Sequence, residues 1–292
     1  MNTTADVVSP PAVDSLLENS LRDIGIPPCP AILDRIVREM RKEAPDFRHV
    51  ANIINTDVAL GASLIKTANS PFFGFRSRVR SVNEALMVLG LTIASKAIAG
   101  IILRRAFPIT PALERFWDSS MRIARLSGWL AQDVASKTVP SDDSYTYALF
   151  RDCGIPVLFN RFPAYEAIVR EANNETIKSF TEVEETHLPT NHAMVGCLLA
   201  QSWWLPEETC LAIRHHHDLQ VIETLAISSP LASRYHIAIA QLAEFFLQRH
   251  TGLSHTCEWP KLGAACLKLL EIDENDIEPI FNEAKIIIQA KD

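Results

Sequence analysis

The run Arg214-His215-His216-His217-Asp218 places three imidazoles beside a carboxylate. Neutral imidazole is the commonest protein metal ligand. Successive residues of a helix project about 100° apart, so two of the rings can serve one side while His215 turns away. One short run does not complete a coordination shell. The further donors that could join it are Asp152, His187, His192, the acidic run Glu182-Val183-Glu184-Glu185, and Glu244. His192 stands at the start of one helical pattern and Asp152 near the end of another, which is how bundle helices converge on an ion. The ordinary use of these side chains points elsewhere: a single histidine is commonly satisfied within a core or at a surface, and an acidic run is commonly a solvated helix face.

The elements that must position these residues are helical. Ile32, Leu33, Ile36, Val37 and Met40 recur at three- and four-residue steps, the mark of an amphipathic helix. Pro45-Asp46 opens a second helix, and Asn55-Thr56-Asp57 caps a third through Ala68. Asn, Pro and Gly between Thr67 and Gly74 make a turn carrying Phe72 and Phe73, a pair read as a plug seated on the bundle. Ser81 and Glu84 have capping-box spacing ahead of a fourth helix, which Gly90 stops, and 91–105 supplies a fifth. Pro108-Ile109-Thr110-Pro111 is the best boundary, with Thr110 as cap and Pro111 at the first helical position. Beyond it, helical spacing continues to a stop near Gly154, then over 163–172, 190–203, 206–217, 231–250, 261–270 and 275–290. No window of the first third alternates with the two-residue period of a strand. The expected fold is all-α: a loose tail over 1–14, a helical bundle over 15–107, and a second helical unit over 108–292.

Composition narrows the function classes. With 292 residues, 48% of them apolar, the chain can build a substantial core. A formal charge of −7 argues against nucleic acid as the main partner, although Lys66, Arg76, Arg78 and Arg80 make a small basic cluster that could meet an acidic partner. Six scattered cysteines without a Cys-x-x-Cys pair read as reduced thiols of a cytoplasmic protein. The amino-terminal segment lacks the cationic start and apolar centre of a signal peptide. The longest apolar stretch, 86–103, contains Gly90, Thr92, Ser95 and Lys96, so it reads as buried helix rather than a membrane span.

Ordered landmarks across the chain carry a resemblance. They are Ile26-Pro27-Pro28-Cys29-Pro30-Ala31; the stretch 54–65; Ala68-Asn69-Ser70-Pro71-Phe72-Phe73-Gly74; Ser81-Val82 and Leu89-Gly90-Leu91. The second unit adds Phe116-Trp117, Ala148-Leu149-Phe150-Arg151-Asp152-Cys153-Gly154, Phe162-Pro163-Ala164-Tyr165, His192 with Val195-Gly196, Trp204-Leu205-Pro206, and Ala212-Ile213 leading to His216-His217-Asp218. Over roughly residues 22–218 this pattern resembles the HDOD family, the output domain related to the HD phosphohydrolases. The resemblance implies a bacterial signal-transduction domain that acts through protein contacts, here standing alone.

The comparison with HD hydrolases bears on the chemistry. Those enzymes hold a water-activating metal with an early His, a His-Asp pair and a later Asp. The resemblance aligns these with Ser119, Arg151-Asp152 and Glu244, so two ligand positions, Ser119 and Arg151, are replaced. Asp152, His192, His216 and His217 remain, the histidines matching second-metal positions of the cyclic-dinucleotide-cleaving branch, whose Gly-Tyr-Pro signature is absent here. A guanidinium cannot coordinate and puts a fixed charge beside the carboxylate that a metal would need. The resulting expectation is a non-catalytic module with signalling-protein partners, no cofactor and no metal, the four retained residues being vestigial. Two other readings are a metal-dependent phosphohydrolase with a remodelled site and a nucleotide-sensing pocket around Arg151.

Overall fold

A computed structural model describes residues 24–289 apart from 71, 74, 76, 109, 136, 224–229 and 254. The expected tail and the pattern around Leu16 to Leu21 lie outside the described residues, as does Arg76 of the basic cluster. The described residues form helices and no strand. The first four helices are α1 (Ala31–Met40), α2 (Phe47–Asn55), α3 (Val58–Ala68) and α4 (Val82–Arg105). Their starts follow local chemistry. The Asp46 carboxylate accepts from the Arg48 and His49 amides, and Asp57 accepts from the Leu60 amide at 2.9 Å. Ser81 caps Glu84 as its spacing requires, but Glu84 reaches the Arg80 amide rather than that of Ser81. Gly90 sits inside α4 at φ 71°, a left-handed conformation that breaks the helix into the two segments expected from sequence.

The chain continues as α5 (Pro111–Val134), α6 (Ser141–Phe150), α7 (Gly154–Arg161), α8 (Tyr165–Asn174), α9 (Phe180–His187), α10 (His192–Ser202), α11 (Glu207–His215) and α12 (Leu219–Glu223). Last come α13 (Leu231–Thr251), α14 (Glu258–Leu270) and α15 (Glu274–Gln289). The short helices α7, α9 and α12 were not among the helices read from sequence. Thr110 and Pro111 open α5 as expected, the Thr110 hydroxyl accepting from the Leu113 amide.

One hydrophobic core runs through both stretches of helices. Side-chain contacts tie them across the 108–111 boundary. Lys96 of α4 pairs with Asp142, at 2.7 Å, and with Asp143. Leu149 seats against Gly100, and the Trp203 indole N–H donates to the Pro27 carbonyl at 3.2 Å. Phe72 stacks on Tyr145 with ring centroids 5.0 Å apart and rests on Gly128, the plug expected of it. Among the described residues α4 alone is long and apolar enough to cross a membrane; its run is interrupted by the Gly90 break and by the paired Lys96. None of the six cysteines is in a disulfide.

Candidate metal centre

Two glycines bring the site together. A Cβ on Gly154, at the start of α7, would lie 2.1 Å from the His192 carbonyl and 2.8 Å from the Gly196 amide, so α7 and α10 touch backbone to backbone. That contact sets the turn Arg151-Asp152-Cys153 beside the first residue of α10, His192. Asn191 fixes the start of α10 by accepting from the Met194 amide at 2.8 Å. Helix α11 ends at His215, earlier than its periodicity suggests, so His216 and His217 leave its end and both turn inward. His215 faces outward toward Asp218, as expected.

The nitrogens then converge. His192 Nε2 lies 3.1 Å from His216 Nε2 and 3.2 Å from His217 Nε2. Asp152 Oδ1 lies 3.2 Å from His216 Nε2 and 3.6 Å from His192 Nε2. All four donor atoms fall within 4.8 Å of one another. Each ring is oriented from its other nitrogen: His192 Nδ1 faces Glu184 Oε2 at 2.7 Å, His216 Nδ1 the Ile213 carbonyl at 2.7 Å, and His217 Nδ1 Glu258 Oε2 at 2.5 Å. A carbonyl or a carboxylate accepts, so these partners assign the proton to each Nδ1 and leave the Nε2 lone pairs pointing inward.

Electrostatics bear on that assignment differently from ring to ring. Burial, with the neighbouring His217 ring, lowers His216 to about 3 and keeps it neutral. Burial also opposes charge on His192, but the Glu184 carboxylate outweighs it and the net shift is upward. Burial would raise Glu258, yet His217 and Lys261 draw it down to about 2. Glu184 is itself anchored, accepting from the His192 amide at 3.1 Å and from the Tyr165 hydroxyl.

The neighbouring position is filled by the protein. Arg151, almost fully buried, donates from Nε and Nη2 to Asp152 Oδ2 at 3.0 and 2.7 Å, and Nη2 lies 3.0 Å from Glu244 Oε2. Burial would raise the Asp152 carboxyl, but Arg151 and then His216 hold it well below the usual carboxylate range. Glu244 is raised by its burial, which Arg151 offsets only in part. Half-buried Ser119 shares a groove with Glu244. The space between Asp152 and Glu244 is thus taken by a guanidinium, which cannot coordinate an ion.

Other sequence candidates go elsewhere. His187 lies at the surface against Glu171 at 3.1 Å, and Glu182 closes the capping box with Ser179. Glu185 accepts from the Asn191 side chain. Glu184, weighed as part of a solvated run, is fully buried and orients His192. Glu258 and Tyr165 were not singled out as site residues from sequence. The Phe162-Pro163-Ala164-Tyr165 landmark was a signal for the tyrosine, whereas nothing near Glu258 in the chain pointed to His217.

A helical fold closing on a histidine-aspartate cluster, with a buried arginine beside it, defines a protein of the HD-related class. The chain belongs to the HDOD domain family, whose model matches residues 26–219. An uncharacterized protein of Treponema pallidum (strain Nichols) is 27% identical over 195 residues, a match spanning 66% of this chain and 38% of the relative's length. A Geobacter sulfurreducens HDOD domain protein of unknown function superposes with a TM-score of 0.66 at 22% identity, covering 93% of this chain and 96% of the other. A Shewanella amazonensis protein provisionally described as a phosphohydrolase gives a TM-score of 0.67 at 18% identity, covering 93% and 96%.

Proposed function

We propose that this chain is a cytoplasmic signal-transduction module that works through contacts with partner proteins and does not hydrolyse phosphate esters. The observation that carries this reading is the Arg151 guanidinium held between Asp152 and Glu244. Hydrolysis in HD enzymes runs through metal-activated water at that position. Arg151 cannot shed its proton to make room, and its burial between two carboxylates raises its pKa further despite desolvation. Membership of the HDOD family supports the signalling role. The contact half of the reading is supported by a groove of about 820 Å³ whose lining among the described residues includes Lys66, Arg78, Arg80 and Arg125 and no acidic side chain, in a protein whose net charge is negative. The apolar length of α4 supports a cytoplasmic location only in that its residues contribute to the core.

The test is a phosphodiesterase and phosphomonoesterase assay of untagged protein with manganese, magnesium and ferrous ions, using cyclic dinucleotides and chromogenic esters. The expected result is no turnover above the rate without protein. Turnover that is lost in His216→Ala overturns the reading.

A further inference from the structure

The four retained donors do more than pack. Every ring nitrogen that faces inward at this site is an acceptor, because each partner Nδ1–H is committed outward to Glu184, Ile213 or Glu258. Asp152 Oδ1 is an acceptor as well, and it faces the same point. Four lone-pair donors crowded together without a donor among them repel one another, and buried polar atoms of this kind ordinarily meet a partner. Charge points the same way. The pairings the cluster makes are rich in carboxylates: Asp152, Glu184, Glu244 and Glu258 are paired with Arg151, Lys261 or the histidine rings themselves.

We infer that His192, His216, His217 and Asp152 bind one divalent transition-metal ion of the zinc class, as a closed site that is not hydrolytic. The distances match the ion. Tetrahedral zinc with bonds of about 2.0–2.1 Å sets its ligands roughly 3.3 Å apart. Four of the six edges here are 3.1, 3.2, 3.2 and 3.6 Å. The other two are no longer than 4.8 Å. Three nitrogens with one oxygen suit zinc or ferrous iron rather than magnesium or calcium, which take oxygen. The ring-to-carboxylate pairs at Glu184 and Glu258 are the outer contacts that fix tautomer and orientation in metal-binding histidines. Arg151 holds Oδ2 of Asp152 and leaves Oδ1 for the ion, so the aspartate serves a single metal.

The site also has an approach. His192 and His216 are fully buried, but His217 and Glu258 line a cavity of about 510 Å³ whose wall carries Glu182, Glu185 and Asp218 alongside Arg214 and Lys261. Four protein ligands leave no open position for an activated water, as in structural zinc sites. The ion would clamp the Arg151-Asp152-Cys153 turn, the start of α10 and the end of α11 to one another. This inference stands apart from the question of hydrolysis, since binding is read without a substrate.

The experiment uses full-length protein made without a polyhistidine tag, stripped with a strong chelator and titrated with zinc in a calorimeter. Cobalt absorption serves as the second readout, because four-coordinate cobalt absorbs visible light far more strongly than six-coordinate cobalt. One zinc per chain, a rise in Tm on loading and a strong cobalt band are expected. Glu258→Gln keeps the four ligands and should weaken binding about 10–100-fold through the His217 ring alone. His216→Ala should abolish the strong cobalt band, and His215→Ala should change neither readout. Absence of zinc binding by folded wild-type protein overturns the inference. So does binding that folded Glu258→Gln and His216→Ala variants both retain at wild-type strength, a comparison that circular dichroism makes safe against misfolding.

Discussion

Arg151 is a cation that no accessible pH removes, and its partners come from two places: Asp152 beside it and Glu244 on α13. Such a group is stabilising only as part of its set. Breaking a buried pair by removing one member costs about 3–5 kcal/mol, because the charge left behind has lost its partner. Arg151→Met, similar in volume, should therefore lower stability by about that amount in urea denaturation, with Asp152 and Glu244 left facing each other. The double variant Arg151→Met with Glu244→Gln should recover part of the loss, since one of the stranded carboxylates is gone. A single variant as stable as wild type would show that the ion pair contributes nothing. The sequence sets Arg151 next to Asp152, but the link to Glu244 depends on how α13 packs and is not visible along the chain. Glu258 is the sharper case: it lies 41 residues from the ring it orients, in a stretch beyond the family resemblance.

The helices themselves were the legible part, because caps and periodicity are local. Asp46, Asp57, Ser81 and Thr110 each act as caps where their spacing placed them. The short helices α7 and α9, eight residues each, were not read because they offer barely two turns of periodicity. The end of α11 was set two residues late, and that small difference decides the site: on a continuing helix His216 and His217 would diverge by about 100°, whereas past its end both turn inward. Gly154 and Gly196 show the same limit. Their presence was readable, but the crossing of α7 over α10 that requires them was not. Gly154→Ala puts a methyl against backbone on the other helix, which cannot rotate away, so the helices must separate and carry Asp152 from His192. The expected loss is about 3 kcal/mol, at the upper end for overpacking. Thermal denaturation checks it, and an unchanged Tm would show that the crossing yields without cost.

At the scale of the molecule the question is how the two runs of helices are held as one core. The contacts that join them are mostly apolar, but Lys96 is different: it enters from the long apolar helix α4 and is met by two carboxylates in the first turn of α6. Burial alone would lower the Lys96 pKa, yet hydrogen bonds and charge from Asp142 and Asp143 raise it, so the ammonium is kept. The same pairing explains how α4 carries a lysine midway along a length that could otherwise span a bilayer. Lys96→Met removes the cation and leaves two adjacent carboxylates partly shielded from water. Because all three side chains keep some exposure, the cost should fall below that of a fully buried pair, at about 2 kcal/mol. Adding Asp142→Asn and Asp143→Asn to Lys96→Met should return part of that stability. The return should be incomplete, since acidic residues in the first turn of α6 also favour the helix N-terminus. Urea denaturation of the single and triple variants at low and high salt checks this. If the single variant matches wild type at both salts, Lys96 does not help to hold the two helical runs together.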